Sequence, residues 1–260
     1  MKKDHAKTNP VASRLNRREV LAFLGGTAAV SILGCLRGQS ASVEPVGTLT
    51  QTPTRTVLAA TPSCVVRPQQ TEGPYFVDEK LNRSDIRFDP SDGSVKQGVP
   101  LRLVFHVSQI NGSSCTPLAA ASVDLWHCDA LGVYSDVRDP SFSTVGKKFL
   151  RGYQVTNANG MVEFVTIYPG WYPGRTVHIH FKIRTELASQ RSYEFTSQLY
   201  FDDSLTDQIH AQPPYAVKGQ RTQRNEQDGI FREGGEQLML QLTKDTQGYV
   251  GTFDLGLQLT

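Results

Sequence analysis

The amino-acid sequence predicts an all-β protein: a single β-sandwich domain of mostly antiparallel strands with long loops, preceded by a signal peptide and a tether. Two observations predict the sandwich. Short apolar runs in which every second residue is apolar recur from Leu101 onward, with turn signals between them. The 260 residues include 22 glycines and 14 prolines, a composition typical of a domain with many turns and few helices.

The strands follow one another with turns between them. The first is LRLVFHVSQI, in which the odd positions from Leu101 to Val107 are all apolar, and the turn NGSS follows it. Four further strands are predicted in ASVDLWHCDA, GMVEFVTIYP, TVHIHFKIRT and YEFTSQLYF. The segment EQLMLQLTKDTQGYVGTFDLGLQL predicts a closing hairpin, and DSLTDQIHA and EQDGIFR predict short turns of helix.

Residues 1–35 predict a signal peptide. A basic segment precedes a mostly apolar run from Val20 to Cys35, which is too short for a membrane span of about 20 residues. The pair Arg17-Arg18 resembles a twin-arginine export signal, the alternative being a general secretory signal that contains two arginines. We therefore expect an exported, periplasmic or otherwise extracytoplasmic protein. Cys35 ends ILGC, which resembles a lipoprotein box, so a lipid anchor at Cys35 and ordinary cleavage nearby stay open as alternatives.

Composition sets the boundaries of the folded domain and its class. Residues 36–62 are rich in Ser, Thr, Pro and Val and predict a tether, so the domain is expected over residues 63–260. Hydrophobic residues make up 38% of the chain and charged residues 20%, which is ordinary globular composition. The net charge of +2 is not the basic footprint of a nucleic-acid-binding protein, so we expect no nucleic-acid partner. The oligomeric state stays open.

The cysteines bear on the predicted export. Disulfides persist outside the cytoplasm, and three cysteines remain if Cys35 is processed or lipidated. Cys64 and Cys115 both lie in turn-like sequence, TPSCVV and NGSSCTP, and we predict a Cys64–Cys115 disulfide. Cys128 lies in a predicted strand, so we expect it to be a buried thiol.

The strand TVHIHFKI presents two histidines side by side. Residues two apart on a strand share a face, so His178 and His180 lie opposite the apolar face that includes Ile179 and Phe181. Such a pair offers two nitrogen ligands to one metal ion. The alternative is a pair of histidines hydrogen-bonded to their neighbours, and this strand alone favours neither.

Two tyrosines extend the histidine pair to a set of four donors. Tyr134 and Tyr168 lie at or just beyond the ends of two other predicted strands, where loops carry function. Two phenolates with two neutral imidazoles suit a hard ion such as Fe(III) and suit Cu(I) or Zn(II) poorly. A free tyrosine has a pKa of about 10, so only a strong Lewis acid holds two of them ionised at neutral pH. We predict one Fe(III) per chain, bound by Tyr134, Tyr168, His178 and His180.

Four motifs in order resemble the intradiol ring-cleavage dioxygenases, the family of the catechol and protocatechuate dioxygenases. They are TEGPYF (71–76), DLWHCDALGVYS (124–135), RGYQVTNANGMVEFVTIYPGWYPGRTVHIHFKI (151–183) and TSQLYFDD (196–203). The resemblance implies a β-sandwich that holds iron with two tyrosines and a His-X-His pair. It also implies an Fe(III)-dependent enzyme that uses O2 to cleave the ring of a catechol-type substrate to a cis,cis-muconate-type diacid.

The resemblance assigns roles to further residues. The segment YPGWYPG contains two Tyr-Pro-Gly units, so Tyr172 competes with Tyr168 as the second tyrosine ligand. Tyr168 is preferred because it lies directly at the strand end, and it would be the catalytic ligand that leaves the iron and accepts a proton from the substrate. Arg175 is expected to be catalytic by stabilising negative charge on the bound ring. The expected substrate-binding residues are Pro74, Tyr75, Tyr172, Arg175 and Gln198.

Two other functions compete with this one. An exported β-sandwich could be a binding module without catalysis, because one fold hosts many functions. A zinc hydrolase could use His178 and His180, but no third histidine or carboxylate stands at a helpful spacing. His106 and His127 lie on strands without a matching metal motif and are expected to be structural. The choice among plain, substituted, carboxylated and trihydroxylated catechols stays open.

Overall fold

The computed structural model describes residues 65–186 and 192–259, all of which belong to the unit Val57–Thr260. The predicted signal peptide at 1–35, the tether at 36–62, Cys35 and Cys64 lie outside the described residues. No helix in the described part of the chain is both long and apolar enough to cross a membrane.

The described residues form mainly β-strands, in two principal sheets and one small hairpin. The strands are β1 (Pro100–Asn111), β2 (Ser114–Pro117), β3 (Ser122–Trp126), β4 (Arg138–Asp139), β5 (Phe142–Ser143), β6 (Arg151–Val155), β7 (Met161–Ile167), β8 (His178–Glu186), β9 (Ser192–Tyr200), β10 (Leu242–Lys244) and β11 (Tyr249–Leu257). One sheet has the order β10-β11-β1-β2, with β7 also paired to β1. The other sheet has the order β6-β3-β8-β9, and β4 pairs with β5.

The strands pair mostly antiparallel, as predicted. The one exception among the described pairs is β1 with β11, which run parallel with Phe105 opposite Phe253. In the second sheet, β8 pairs antiparallel with both β3 and β9, which places Trp126 opposite His180 and His180 opposite Gln198. Strand β8 is therefore central, and residues on its two neighbours flank the histidines. The predicted closing hairpin is confirmed by the pairing of β10 with β11.

The two principal sheets pack face to face around an apolar core. Phe105 of β1 and Phe253 of β11 both contact Phe181 of β8, with ring centroids 5.4 and 5.6 Å apart. The alternating apolar residues of β1, β3, β7, β8 and β11 belong to this one buried cluster. The prediction of an all-β sandwich is thus confirmed, and it rests on the two-residue alternation of each strand.

The histidine face of β8 is covered as well. Both His178 and His180 are buried, and so is Lys182 on the same face. A second apolar cluster packs there, with Trp126 and Tyr134 at its centre and Tyr75, Phe76 and Tyr172 around it. Residues 70–76, which precede the first strand, lie over this face, because Gln70 N donates to the carbonyl of Thr196. The two histidines thus lie beneath this cover, on the face of the sheet that points away from the main core.

The short helices lie between β9 and β10. Helix α1 (Asp203–His210) confirms the prediction for DSLTDQIHA, and the side chain of Asp202 caps it by accepting from Leu205 N. Three 3₁₀ helices follow at Tyr215–Lys218, Asn225–Gln227 and Gly235–Leu238. The second of them lies in the segment EQDGIFR and its flank, where a turn of helix was predicted.

The two described cysteines differ in state. Cys115, in β2, is disulfide-bonded. Its predicted partner Cys64 lies outside the described residues, so the pairing stays a prediction. Cys128 is a free, buried thiol, as the sequence predicted.

Candidate metal centre

The two histidines at the start of β8 bring their side-chain nitrogens together. Nε2 of His178 lies 3.0 Å from Nε2 of His180. Nδ1 of His178 lies 2.6 Å from the carbonyl oxygen of Thr176, which can only accept, so Nδ1 carries the proton. The lone pair of His178 is therefore on Nε2. This is the arrangement in which a carbonyl orients a metal-binding imidazole.

His180 is held between an aromatic ring and a close backbone segment. The Trp126 indole stacks on the His180 ring, with centroids 5.0 Å apart and an interplanar angle of 7°. On the other side a Cβ atom at Gly73 would lie 3.3 Å from Cε1 of His180, and Gly73 has a φ of +71°. Both facts favour glycine there, because any side chain would be strained and crowded. Nδ1 of His180 has no partner among the described residues.

Tyr134, in the loop after β3, packs beside the histidines, with its ring centroid 6.3 Å from that of His180. Its ring is buried, and its hydroxyl lies near that of Tyr172 but makes no hydrogen bond of normal geometry to a described residue. The next residue, Ser135, is anchored because its hydroxyl donates to the carbonyl of Phe149 and accepts from Nε of Arg151 at 2.7 Å. Nη1 of Arg151 also donates to the carbonyl of Tyr75 at 3.1 Å. The buried Arg151 therefore fixes Ser135, the neighbour of Tyr134 in the chain, and the backbone of Tyr75.

The second tyrosine at the site is Tyr172, and the expectation that Tyr168 faces the histidines is wrong. The Tyr172 hydroxyl lies 3.2 Å from Nε2 of His178, and its ring centroid lies 5.8 Å from that of Tyr134. The Tyr168 hydroxyl instead bonds to Oγ1 of Thr206 at 2.6 Å. The Tyr168 ring packs on Phe201 at 4.5 Å between centroids, inside the sandwich core.

The two-residue period of β7 explains this outcome. Val162, Phe164 and Tyr168 lie on even positions, and all three belong to the core between the sheets. Tyr168 therefore continues the buried face of the strand. The chain then turns, and Tyr172 is the first tyrosine after that turn. Gly170 allows the turn to pack closely, since a Cβ atom there would lie 2.4 Å from the carbonyl oxygen of Ala130.

Burial sets the protonation of the four donors. Burial, with the Arg175 charge acting in the same direction, lowers the pKa of His178 to about 3. Burial and the neighbouring His178 place the pKa of His180 well below its usual value. Burial also raises the pKa of the Tyr134 phenol well above 10 and raises that of Tyr172, although Arg175 opposes the second shift. Without a cation, the site is two neutral imidazoles and two neutral phenols.

These four donors fit a metal ion. Two donors at right angles on a metal with bonds of about 2.0–2.2 Å lie about 3 Å apart, close to the separations from Nε2 of His178 to His180 and to Tyr172. The buried Tyr134 hydroxyl lacks a partner that a cation would supply. No group of three or more His, Cys, Asp or Glu residues in the described ranges could hold a metal. A metal at the two histidines would therefore need the tyrosines.

Arg175 and Gln198 lie beside the donors, as expected. Nη1 of Arg175 is 3.4 Å from Nε2 of His178, and Nη2 donates to Oε1 of Gln198 at 2.6 Å. Nε of Arg175 donates to the buried carboxylate of Asp228 at 2.8 Å. A permanently charged group thus lies next to the place where the four donors converge.

The expected substrate-binding residues at 74–75 lie over the same region. Tyr75 stacks on Tyr134 with centroids 4.5 Å apart and packs edge-on against Tyr172 at 6.2 Å. Its hydroxyl donates to Oδ2 of Asp139 at 2.7 Å. Pro74 is exposed next to it. The rings of Tyr75 and Tyr172 therefore form an aromatic wall beside Tyr134.

Two further histidines in the described ranges make structural contacts. His127 is buried and bonds through its two ring nitrogens to the carbonyl of Cys128 and the hydroxyl of Thr166. His106 pairs with Asp254 across β1 and β11. Sequence reasoning missed Trp126, Arg151 and Asp228 as supports of the site. Asp228 had one signal, because it lies in the segment EQDGIFR that was singled out only as a helical turn.

Comparisons with known proteins place the chain in a family. A family model described as "Dioxygenase" matches residues 71–234. The solved structure of an intradiol ring-cleavage dioxygenase from Tetranychus urticae is 32% identical, covers 75% of this chain and 95% of that chain, and superposes with a TM-score of 0.63. This chain belongs to the intradiol ring-cleavage dioxygenase family. The resemblance drawn from the four sequence motifs is confirmed.

Two curated members of the family match a shorter stretch. Catechol 1,2-dioxygenase 1 of Acinetobacter lwoffii is 27% identical over 162 residues, covering 52% of this chain and 49% of the relative. The protocatechuate 3,4-dioxygenase beta chain of Burkholderia cepacia is 30% identical over 138 residues, covering 49% of this chain and 56% of the relative. The chain thus spans about half the length of these two family members.

Proposed function

We propose that the protein is an Fe(III)-dependent intradiol dioxygenase that cleaves a catechol-type ring with O2 to a cis,cis-muconate-type diacid. The observation that carries the proposal is the contact of the Tyr172 hydroxyl with a pair of facing imidazole nitrogens, beside the buried Tyr134, whose ring centroid lies 6.3 Å from that of His180 and whose hydroxyl makes no hydrogen bond of normal geometry in the described part of the chain. Family membership supports the reaction type.

The iron, one ion per chain, would be held by Tyr134, Tyr172, His178 and His180. Phenolates and imidazoles suit Fe(III), which supplies the Lewis acidity that ionises the diol and makes the ring reactive toward O2. Tyr172 replaces Tyr168 in the set that the sequence predicted, because only Tyr172 reaches the histidines. Tyr168 has its hydroxyl bonded to Thr206 in the core, so it has no part in the chemistry.

Tyr172 is the residue placed to accept a proton from the incoming diol. It is only partly buried, whereas Tyr134 is fully buried behind Tyr75. Exchange between phenolate and phenol is therefore easier at Tyr172, where Arg175 stabilises the charged form. We propose that Oη of Tyr172 takes one diol proton as the substrate binds, while Tyr134, His178 and His180 keep their places.

Arg175 and the aromatic wall orient the substrate. Nη1 of Arg175 points toward the donors and can stabilise negative charge that builds on the substrate oxygens. The rings of Tyr75 and Tyr172, packed edge to face, offer aromatic surface against which a catechol ring can pack. These features suit a planar aromatic diol as the substrate class.

The two competing functions fit the geometry less well. A binding module has no need for a buried tyrosine hydroxyl without a partner, which costs stability unless a ligand completes it. A zinc hydrolase would need a third histidine or carboxylate near His178 and His180, and the described ranges contain no such group.

The test is a visible spectrum of the purified protein, before and after addition of catechol without oxygen. Tyrosine bound to Fe(III) gives a broad charge-transfer band, so the iron-loaded protein should be red to purple, and the band should shift when the diol binds. Addition of O2 should then yield the ring-opened diacid. A protein that stays colourless after iron reconstitution would overturn the proposal and favour the binding module.

A further inference from the structure

Asp228 is a buried carboxylate whose hydrogen-bonding capacity is filled by N–H donors. Its Oδ2 accepts from Nε of Arg175 and from the backbone N of Thr176, both at 2.8 Å. Its Oδ1 accepts from the backbone N of Ile230 at 2.8 Å and of Phe231 at 3.2 Å. A single side chain therefore ties the loop at 228–231 to Arg175 and Thr176, which lie just before the histidine strand.

This carboxylate and Gln198 hold the Arg175 guanidinium from two sides. Asp228 occupies Nε, and Oε1 of Gln198 occupies Nη2 at 2.6 Å. Nη1 then faces Nε2 of His178 at 3.4 Å, which is long for a hydrogen bond. Because the guanidinium is planar and its other edges are fixed, Nη1 is the end left to donate to a substrate.

The contacts continue from Gln198 to the segment over the site. Nε2 of Gln198 donates to the carbonyl of Thr71 at 2.9 Å. The Tyr200 hydroxyl lies 3.2 Å from Oε1 of Gln198 and 2.6 Å from Oε1 of Gln70. A buried and fully bonded polar network rigidifies what it joins. Here it joins the Asp228 loop, Arg175 and the segment that covers His180.

We propose that Asp228 is a positioning residue for ring cleavage: it orients Arg175 so that Nη1 donates to the negative charge that develops on the bound diol. The inference rests on the proposed function and adds to it. A donor fixed before the reaction stabilises developing charge more than a mobile one, because no reorganisation is needed in the transition state. Asp228 therefore acts on the rate of the chemical step through Arg175, without touching the substrate.

The variant Asp228→Asn isolates this role. All four partners of Asp228 are donors, so the NH2 group of an asparagine would face two of them and break one pair of contacts. We expect kcat to fall about tenfold to a hundredfold. This fall is no larger than the one expected when a residue that donates directly to the transition state is removed. The dissociation constant for catechol, measured without oxygen, should change much less, since the iron donors are intact.

A matched control is Asp245→Asn. Asp245 also anchors a loop by accepting from two backbone N–H groups, those of Gln247 and Gly248. It lies in the β10–β11 turn and has no hydrogen bond to an arginine of the described ranges. Its substitution should leave kcat and the spectrum unchanged.

A second variant serves if Asp228→Asn does not accumulate as folded protein. Asp228→Glu keeps the negative charge but displaces it, and it should show a smaller loss of kcat.

A double-mutant cycle with Arg175→Gln decides between positioning and simple loop anchoring. If Asp228 acts through Arg175, Asp228→Asn should have almost no further effect on kcat in the Arg175→Gln background. Both single variants should also alter the charge-transfer band of the anaerobic catechol complex in the same way, which is a readout independent of turnover. Additive losses in kcat, or an unaltered band in Asp228→Asn, overturn the inference. A wild-type protein without colour or ring cleavage overturns the proposed function instead.

Discussion

At the scale of single residues, the choice between two tyrosines decides what the site can bind. The Tyr172 hydroxyl lies 3.2 Å from Nε2 of His178, whereas the Tyr168 hydroxyl is bonded to Thr206 in the core. We expect Tyr172→Phe to lose most of the iron-dependent colour and activity, because it removes one of two anionic donors. Metal content and the visible spectrum of the purified variant are the measurements.

Tyr168→Phe is the matched control. It removes a buried hydroxyl and leaves Thr206 bonded to the carbonyl of Asp202, so we expect a loss of about 1 kcal/mol in unfolding free energy. Colour and iron content should stay at the wild-type level. The assignment fails if Tyr168→Phe loses the iron and Tyr172→Phe keeps it.

At the scale of elements, local pattern predicted most of the sheet and part of the site. Alternation located β1, β3, β7, β8, β9 and the closing hairpin, and it placed His178 and His180 on one face. It missed the short strands β2, β4, β5 and β6, which are too short or too polar to show a period. The same alternation, continued one residue beyond the end of β7, would have placed Tyr168 in the core with Phe164.

The contacts that complete the site could not be predicted from local sequence. Arg175 and Asp228 meet across 53 residues, and Gln198 and Thr71 across 127. Such contacts depend on how the loops fold back over the sheet, which no period in the sequence encodes. Strand β8 is also buried on both faces. Its histidine face contains polar residues, a pattern that predicts exposure to solvent, so nothing in the sequence indicated that residues 70–76 cover it.

The turn that carries Tyr172 depends on close packing at Gly170. A Cβ atom there would lie 2.4 and 2.5 Å from the carbonyl oxygens of Ala130 and Asp129, and backbone atoms cannot give way cheaply. We expect Gly170→Ala to lower the unfolding free energy by about 1–3 kcal/mol and to reduce iron content, because the turn must move and take Tyr172 with it. Thermal unfolding and metal analysis measure the two effects.

Gly174→Ala, in the same loop, is the control for that substitution. Gly174 has a φ of +87°, but a Cβ atom there meets nothing within 4 Å. We expect a cost of about 1–2 kcal/mol from the left-handed backbone alone, with iron content retained. Equal iron loss in the two variants would show that close packing at Gly170 is not what places Tyr172.

At the scale of the whole molecule, buried histidines make the metal-free fold sensitive to acid. Burial lowers the pKa of His127 to about 4 and that of His178 to about 3, and it also lowers the pKa values of His180 and His210. The unfolded chain binds these protons near pH 6.5 and the folded chain does not. Their contribution to stability is therefore fully present above pH 6.5 and is lost as the pH falls toward 4.

We expect the melting temperature of the metal-free protein to fall between pH 7 and pH 4.5, and to fall less steeply in His127→Asn. The variant is less stable at pH 7, because it loses the hydrogen bond between His127 and Thr166, but it has one fewer buried imidazole to protonate. Thermal unfolding at several pH values measures both slopes. Identical slopes for the two proteins would exclude His127 as a source of the acid sensitivity.

The compartment in which the molecule works is a proposal that the disulfide supports. Cys115 is disulfide-bonded, and such bonds persist outside the cytoplasm. We propose export through the twin-arginine route, followed either by lipid attachment at Cys35 or by ordinary cleavage nearby.

The test of the route replaces Arg17 and Arg18 together with lysine, in a bacterium that has the twin-arginine route. The variant should stay in the cytoplasm, where Cys115 should become reduced and reactive to alkylation in the unfolded protein. Wild-type protein from the exported fraction should be alkylated at Cys128 and not at Cys115 when it is unfolded without reductant. Unchanged export of the lysine variant would point to the general secretory route. The lipid anchor would be established if the wild-type protein is found in the membrane fraction and a Cys35→Ser variant is found free of it.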